Sequence, residues 1–129
     1  MRIEHIAIWC LDLEKMKSFY MKYFQLKASE KYVNPKNKFS SYFLSFPESE
    51  TRIEIMHRED IAEVFTNHGE SIGLAHFSIS VGSRKKVDEL TERFRADQIQ
   101  IKWEPRTTGD GYYESLILDV EGNQVEITA

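Results

Sequence analysis

The sequences RIEHIAIW, residues 2–9, and GLAHFSIS, residues 73–80, each place one histidine in a run of alternating apolar residues. Alternation with a period of two is typical of a strand that buries one face. A single strand histidine is usually structural, but His5 and His76 occupy matching contexts in the two halves of the chain. The match predicts that the chain contains the same structural unit twice.

An amphipathic helix with an N-cap follows each of these strands. In the first half, apolar residues recur every three or four positions between residues 13 and 23, and Asp12 precedes them. In the second half, Ser83 precedes a similar stripe between residues 87 and 94. Aspartate and serine are preferred N-caps because their side-chain oxygens accept hydrogen bonds from the first backbone amides of a helix. The spacing from His5 to Asp12 equals the spacing from His76 to Ser83, which supports the repeat.

Further strands complete each half. The segments RIEI and QVEI place Glu54 and Glu126 at matching strand positions. The two glutamates are 72 residues apart (126 − 54) and the two histidines are 71 apart (76 − 5), so one inserted residue in the second half accounts for the difference. The strand patterns cover residues 40–46 and 51–57 in the first half, and residues 99–103, 112–119 and 124–128 in the second.

The repeat predicts a single α+β domain over residues 1–129, in which two βαβββ modules form one curved mixed sheet. Module 1 covers about residues 1–58, module 2 covers about residues 74–129, and a linker covers residues 59–73. A short helix is expected in the linker around EDIAEVF, residues 59–65, and a loop at PRTTGDG, residues 105–111.

Strand parity places His5, Glu54, His76 and Glu126 each on the less apolar face of its strand. The opposite faces are expected to pack against helices, and beside the carboxylates they carry Ile53, Ile55, Val125 and Ile127. In a curved sheet the two imidazoles and the two carboxylates can converge. Such a ligand set favours a divalent transition metal, Zn, Ni, Co, Mn or Fe, over Ca or Mg. Four protein ligands on an octahedral ion leave two positions for water or substrate.

Three segments resemble the vicinal oxygen chelate superfamily, the glyoxalase/bleomycin resistance/dioxygenase group that includes glyoxalase I. They are EHIAIWCLDLEKMKSFY at residues 4–20, GLAHFSIS at residues 73–80 and LDVEGNQVEI at residues 118–127. The last resembles a family ending of the form D-P-x-G-N-x-[IV]-E-[IL], with Val120 at the proline position. The resemblance covers nearly the whole chain.

The resemblance implies a metal-dependent enzyme of the glyoxalase I type, which isomerises the hemithioacetal of a 2-oxoaldehyde and a thiol through an enediolate. The implied metal ligands are His5, Glu54, His76 and Glu126. Glu126 is the better candidate for the catalytic base and Glu54 is mainly a ligand, although the repeat would allow the two to exchange roles. The implied partners are a small-molecule substrate, such as a thiol adduct, and a second copy in a homodimer. Sites in this family form within one chain or across a dimer, and the sequence is consistent with both.

Other chemistries of the superfamily stay open. Extradiol dioxygenases and fosfomycin-type thiol transferases resemble the set at His5, His76 and Glu126, and the epimerase branch carries Gln where this chain has Glu54. Glu54 therefore favours the glyoxalase interpretation. A non-catalytic protein that sequesters a drug, as the bleomycin-binding members do, is a further alternative, but those members lack the metal ligands.

Other side chains are interpreted from their position in these strands. Trp9 and Met56 share faces with the predicted ligands and are predicted to line a substrate pocket, together with Tyr113. His57 has the opposite parity and is interpreted as structural or exposed. Cys10 is interpreted as a small core residue.

Composition indicates a small protein with an acidic surface. The 129 residues suit one domain. The net charge of −4 and the pI of about 5.6 argue against binding to nucleic acid. No apolar run approaches the length of a membrane span, and no signal-peptide pattern precedes the first strand. One cysteine excludes a disulfide within the chain. These features predict a cytoplasmic protein without membrane contacts.

Overall fold

The computed structural model describes residues 1–61, 69–70 and 72–129. The chain divides into two compact units, Met1–Val64 and Phe65–Ala129. The division falls inside the predicted linker of residues 59–73. Most of the helix predicted at residues 59–65 lies outside the described residues.

The first unit contains one long helix packed on a mixed sheet. In chain order the elements are β1 (His5–Trp9), α1 (Leu13–Phe24), β2 (Lys27–Ala28), β3 (Tyr32–Asn34), a 3-10 helix (Pro35–Asn37), β4 (Phe39–Ser45) and β5 (Arg52–Arg58). The sheet has the strand order β1-β5-β4-β2, with β3 also paired to β4. β1 and β5 are parallel, whereas β4 and β5 are antiparallel.

The second unit repeats the arrangement of a first strand, a helix and a last strand that returns beside the first. The elements of this unit are β6 (Phe77–Ser80), α2 (Arg84–Ala96), β7 (Ile101–Thr107), β8 (Tyr113–Leu118) and β9 (Gln124–Thr128). The sheet has the order β6-β9-β8-β7, and β6 and β9 are parallel. The prediction of an α+β fold built from two βαβββ modules is therefore confirmed. Backbone hydrogen bonds among the described residues form two sheets, one in each unit.

Both helices begin at the predicted N-caps. The Asp12 carboxylate accepts a hydrogen bond from the Lys15 backbone N–H at 2.9 Å. The Ser83 hydroxyl accepts one from the Lys86 backbone N–H at 3.3 Å. Each cap satisfies an amide that the helix itself leaves without a partner.

The apolar faces of β5 and β9, the strands that carry Glu54 and Glu126, lie in the cores of their units. Ile53 and Ile55 of β5 are buried in the unit that contains α1, and Val125 and Ile127 of β9 are buried in the unit that contains α2. All four lie opposite the predicted ligand face, as strand parity requires. The assignment of the buried face of β5 and of β9 is thus confirmed.

The bounds of several strands differ from those predicted, and the differences in β6 and β7 involve residues near the site. β6 begins at Phe77, so His76 precedes the strand that was predicted to contain it. β7 continues through Pro105 to Thr107, where a loop was predicted. Proline is tolerated there because β7 is at the edge of its sheet and its pairing with β8 shifts register on each side of Trp103. The short strands β2 and β3 were not predicted. Among the described residues, no helix is long and apolar enough to cross a membrane.

Candidate functional site

His5 and Glu54 lie on one face of the first sheet. In the parallel register of β1 and β5, Glu54 is paired with Ala7, two residues after His5. Residues two apart on a strand share a face, so the two side chains are diagonal neighbours across the strands. The His5 Nε2 and Glu54 Oε2 atoms are 3.9 Å apart.

His76 and Glu126 have the same relationship in the second sheet. In the parallel register of β6 and β9, Glu126 is paired with Ser78, two residues after His76. The His76 Nε2 and Glu126 Oε2 atoms are 3.4 Å apart. The repeat that the sequence shows thus extends to the geometry of these two side-chain pairs.

The two pairs also match in exposure. The Glu54 and Glu126 side chains are 16% and 14% exposed, whereas the His5 and His76 side chains are 38% and 35% exposed. In each pair a shielded carboxylate therefore lies beside a more open imidazole. Each pair offers one nitrogen and one oxygen donor, the ligand types that borderline divalent transition metals prefer.

Glu4, Arg52 and Phe43 surround the first pair. His5 Nδ1 is hydrogen-bonded to one oxygen of the Glu4 carboxylate, and Arg52 donates to the other oxygen. The Arg52 guanidinium lies 4.0 Å from the centre of the Phe43 ring, and the edge contact between Phe43 and His5 spans 5.4 Å between ring centres. The hydrogen bond with His5, together with Arg52, holds the pKa of Glu4 below its usual range.

A second carboxyl group accompanies the second pair. Glu114 of β8 is buried, and Arg106 of β7 donates to it at 3.4 Å. Burial, followed by a hydrogen bond with Glu126 and the charge of Glu126, raises the pKa of Glu114, and Arg106 opposes that rise. The Arg106 guanidinium is also 4.2 Å from the centre of the Trp103 ring. Glu114, Arg106 and Trp103 were not among the predicted site residues.

The structure places two of the three predicted pocket residues on the ligand face. In the first sheet, Trp9 and Met56 are register partners and have the same parity as His5 and Glu54. Trp9 is exposed and contacts the Phe39 ring edge-on at 6.1 Å between ring centres. A partly exposed aromatic and a thioether beside a His–Glu pair can contact the apolar part of a small molecule.

Tyr113, the third predicted pocket residue, contacts the helix α2. Its hydroxyl donates to the Asp88 carboxylate of α2 at 2.6 Å, and the Arg84 guanidinium lies 4.9 Å from the centre of its ring. Tyr113 therefore lies on the helix side of β8, whereas Glu114, the next residue, lies on the side of Glu126. The physical reason is the alternation of side chains along the strand.

His57 and Cys10 serve the structure of the first unit. His57 Nδ1 is 3.0 Å from the Cys10 carbonyl oxygen, and the Cys10 thiol donates to the Met56 carbonyl at 3.3 Å. Cys10 is buried. The interpretation of Cys10 as a small core residue is confirmed, and the contact of His57 with the backbone agrees with its interpretation as structural or exposed.

The segment DVEGN, residues 119–123, forms the turn that brings β9 back beside β8. The buried Asp119 accepts hydrogen bonds from the backbone N–H of Glu121 at 3.0 Å and of Asn123 at 2.9 Å. Gly122 has a φ of 86°, a left-handed conformation that glycine adopts without strain. Asp119, Gly122 and Asn123 thus fix the hairpin that carries Glu126.

The four predicted metal ligands are present as two pairs, one in each unit. In the parts of the chain that the structure describes, no three His, Cys, Asp or Glu side chains form a group that could hold a metal ion. Coordination of one ion by all four residues stays a prediction. The donor chemistry of the two pairs, two imidazole nitrogens and two carboxylates, fits that prediction.

The chain belongs to the Glyoxalase/Bleomycin resistance protein/Dioxygenase superfamily, whose family model matches residues 2–127. The match covers both His–Glu pairs and confirms the family that the three sequence segments resemble. A comparison with curated protein sequences finds no match.

Solved structures of the same fold are similar over almost the whole chain. The trypanothione-dependent glyoxalase I of Leishmania major has a TM-score of 0.78 and 22% identity, and the match covers 99% of this chain and 86% of that one. A glyoxylase/bleomycin resistance protein/dioxygenase domain from Frankia sp. EAN1pec has a TM-score of 0.83 and 17% identity, with 99% and 96% covered. Glyoxalase I from Zea mays has a TM-score of 0.77 and 21% identity, with 98% of this chain covered. The present chain spans only 44% of the maize chain. At these identities the likeness establishes the fold and not the reaction.

Proposed function

We propose that the protein is a divalent-metal-dependent enzyme of the glyoxalase I type. Its substrate is the hemithioacetal of a 2-oxoaldehyde and a thiol, and its product is the thioester of a 2-hydroxy acid. The observation that carries the proposal is the matched geometry of His5–Glu54 and His76–Glu126 on equivalent strands of two modules. Each pair contributes one imidazole and one carboxylate, the donor types of the proposed metal site.

The ligand set of the proposed site is His5, Glu54, His76 and Glu126. Imidazole and carboxylate donors suit Zn, Ni, Co, Mn and Fe. When bound, the metal acts as a Lewis acid for negative charge that develops on the substrate oxygens. Both carboxylates are shielded by their sheets, and a shielded carboxylate is stabilised by a positively charged partner.

In the proposed reaction Glu126 acts as the general base. It removes the proton from the carbon that bears the hemithioacetal hydroxyl, and the proton is then returned to the neighbouring carbon. The first step breaks a C–H bond and the second forms one, while the hydroxyl proton of the hemithioacetal is lost from its oxygen and a proton is gained by the oxygen of the neighbouring carbonyl. The reaction is therefore an isomerisation without a net oxidant or reductant. Glu54 holds the equivalent position in the first module and is proposed mainly as a ligand. Trp9 and Met56 are proposed to contact the apolar part of the substrate.

We further propose that the protein acts as a homodimer on a small-molecule substrate. Equilibrium sedimentation of the metal-loaded protein tests the dimer. A sedimenting species with the mass of one 15.2 kDa chain at assay concentrations would contradict it.

The reaction is tested by thioester formation from methylglyoxal and a thiol. Protein purified without an affinity-tag metal is loaded with Ni, Co, Zn or Mn in turn and assayed optically with several thiols, among them glutathione and bacillithiol. We expect turnover with at least one combination of metal and thiol. A fully loaded protein that turns over none of them is not a glyoxalase for those thiols, and fosfomycin with a thiol or a catechol with Fe(II) and oxygen would be the next substrates.

A further inference from the structure

The two His–Glu pairs match in geometry but differ in what holds the imidazole. His5 Nδ1 is hydrogen-bonded to the carboxylate of Glu4, the residue before it in the chain. The residue before His76 is Ala75, which has no side-chain acceptor. Glu4 therefore orients His5 through a hydrogen bond, and Ala75 cannot orient His76 in the same way.

Glu4 is itself held on two sides by Arg52. The Arg52 guanidinium donates to the Glu4 oxygen that does not contact His5, and the Arg52 backbone N–H donates to the Glu4 carbonyl at 3.0 Å. Arg52 is also the register partner of His5 in β5. Arg52 thus holds the Glu4 backbone through its own backbone N–H and the Glu4 carboxylate through its guanidinium, so the carboxylate is a defined hydrogen-bond acceptor for an imidazole.

The same arginine links back to the histidine through an aromatic ring. The Arg52 guanidinium lies over the Phe43 ring, and the Phe43 and His5 rings form a T-shaped contact with an interplanar angle of 89°. Arg52, Glu4, His5 and Phe43 thus form a closed ring of contacts around one side of the imidazole. The other side, with Nε2, faces Glu54 at 3.9 Å, which is longer than a hydrogen bond.

We propose that Glu4, held by Arg52, is a positioning residue that keeps the proton of the His5 imidazole on Nδ1 and leaves the Nε2 lone pair free for the metal ion. The inference rests on the proposed function, because it assigns Glu4 a role toward the metal of that site. A carboxylate that accepts from the remote N–H of a ligating histidine fixes the tautomer and the ring orientation and makes the imidazole a better ligand. The role belongs to the first module alone, because Ala75 stands at the matching position of the second.

The test compares Glu4→Ala with Glu50→Ala in the full chain. Glu50 is an exposed glutamate of the same unit that pairs with Arg2, so its loss removes a similar charge without touching His5. Affinity for Ni or Co is measured by competition with a chelator of known strength. We expect Glu4→Ala to weaken binding about tenfold to a hundredfold, the range found for loss of such partners, and Glu50→Ala to leave it within about threefold.

A spectroscopic measurement separates positioning from a general loss of structure. Long-range proton–nitrogen NMR of the metal-free protein, recorded where the imidazoles are neutral, reports which ring nitrogen carries the proton. We expect the Nδ1–H form of His5 in the wild type and in Glu50→Ala, and its loss in Glu4→Ala. The signals of His76 serve as an internal control and should not change, and His5→Gln and His76→Gln assign the two rings.

The outcomes distinguish this inference from the proposed function. A wild-type protein that binds no divalent metal overturns both. A wild type that binds metal, with an unchanged affinity or an unchanged His5 tautomer in Glu4→Ala, overturns the role of Glu4 alone. A parallel change in the His76 signals would show a structural effect of the substitution and would also overturn the positioning role.

Discussion

Glu54 and Glu126 occupy the same position in the two sheets: each is paired, across a parallel ladder, with the residue two places after a histidine. The relationship joins the first strand of each module to its last strand. It follows from the repeated fold, because strand direction and register alone bring the diagonal side chains together. A single substitution on either strand is therefore expected to disturb one pair and to leave the other intact.

The first prediction concerns metal binding. His76→Ala should lose most of the affinity for a divalent ion, because it removes one of the four proposed ligands. His57→Ala should keep the affinity, because its Nδ1 contacts the Cys10 carbonyl and its parity is opposite to that of the ligands. Metal content is measured by elemental analysis after gel filtration, and we expect about one ion per chain in the wild type. Equal metal content in all three proteins would refute the site.

The pairing of each histidine with a glutamate could be predicted from sequence because strand geometry is strict. Side chains alternate with a period of two, and one face of β5 and of β9 is clearly apolar, so the face that carries Glu54 or Glu126 is determined by parity. The caps Asp12 and Ser83 could be predicted for a similarly local reason. His76 lies just outside β6, and its pairing with Glu126 nevertheless follows from the register of Ser78.

Glu114 could not be predicted, because β8 is buried on both faces. Ser115, Leu116 and Ile117 are all fully buried. Apolar and polar residues therefore do not alternate along the strand, and the sequence does not indicate which face of β8 packs against the helix. For the same reason the sequence did not show that Tyr113 lies on the helix side of β8. The extent of β7 was missed because Pro105 normally ends a strand, and only its edge position and the shifts in register accommodate it.

Glu4 was missed for a different reason. It is adjacent to His5, and alternation in a regular strand would place the two side chains on opposite faces. Glu4 precedes β1, which begins at His5, and its side chain is held by Arg52 of the neighbouring strand. A contact that depends on a strand end and on a cross-strand arginine has no signature in the local sequence.

The second prediction compares core and ligand positions on β9. Ile127 is completely buried, so Ile127→Ala should lower the free energy of unfolding by about 2–5 kcal/mol. Glu126→Gln keeps the shape of the side chain and the apolar face, so it should destabilise the metal-free protein much less. Urea titrations with chelator present provide the measurement. A larger loss from Glu126→Gln than from Ile127→Ala would mean that the two faces of β9 are reversed.

The third prediction concerns acid stability and Glu14. Hydrogen bonds from Lys17 and then Tyr42 lower the pKa of Glu14 to about 2, and Lys31 contributes at 3.2 Å. The pKa in the folded protein is below the ordinary value of 4.5, so the stabilisation is full above pH 4.5 and is lost as the pH falls toward 2. Because the side chain is half exposed, Glu14→Gln should destabilise the protein at pH 7 by at most about 1 kcal/mol.

The measurement for Glu14 is the difference in unfolding free energy between the wild type and Glu14→Gln as a function of pH. The difference should be constant above about pH 5 and should shrink steadily below pH 4.5. In a Lys17→Gln background the difference above about pH 5 should be smaller, since the partner with the largest effect is gone. A difference that grows as the pH falls would contradict the assigned direction.

The fourth prediction concerns the turn that positions Glu126. Asp119→Ala removes the acceptor for the backbone amides of Glu121 and Asn123 and should destabilise the protein by about 1–3 kcal/mol. Glu48→Ala, in the exposed turn between β4 and β5, should change stability by less than about 0.5 kcal/mol. Thermal and urea unfolding measure both variants. Equal stability of the two would show that the hydrogen bonds of Asp119 do not hold the hairpin.

The last prediction assigns the catalytic base. A general base must accept a proton, and glutamine cannot, so Glu126→Gln should slow thioester formation by roughly a hundredfold or more at saturating metal. Glu54→Gln should weaken metal binding more than it lowers the rate of the loaded enzyme, because Glu54 is proposed mainly as a ligand. Exchange of the substrate proton with deuterium from the solvent gives a second measure of the same step. If Glu54→Gln abolishes both turnover and exchange while Glu126→Gln retains them, the two glutamates have the opposite roles. Because the modules are near equivalents, that result would keep the site and move the base to the first module.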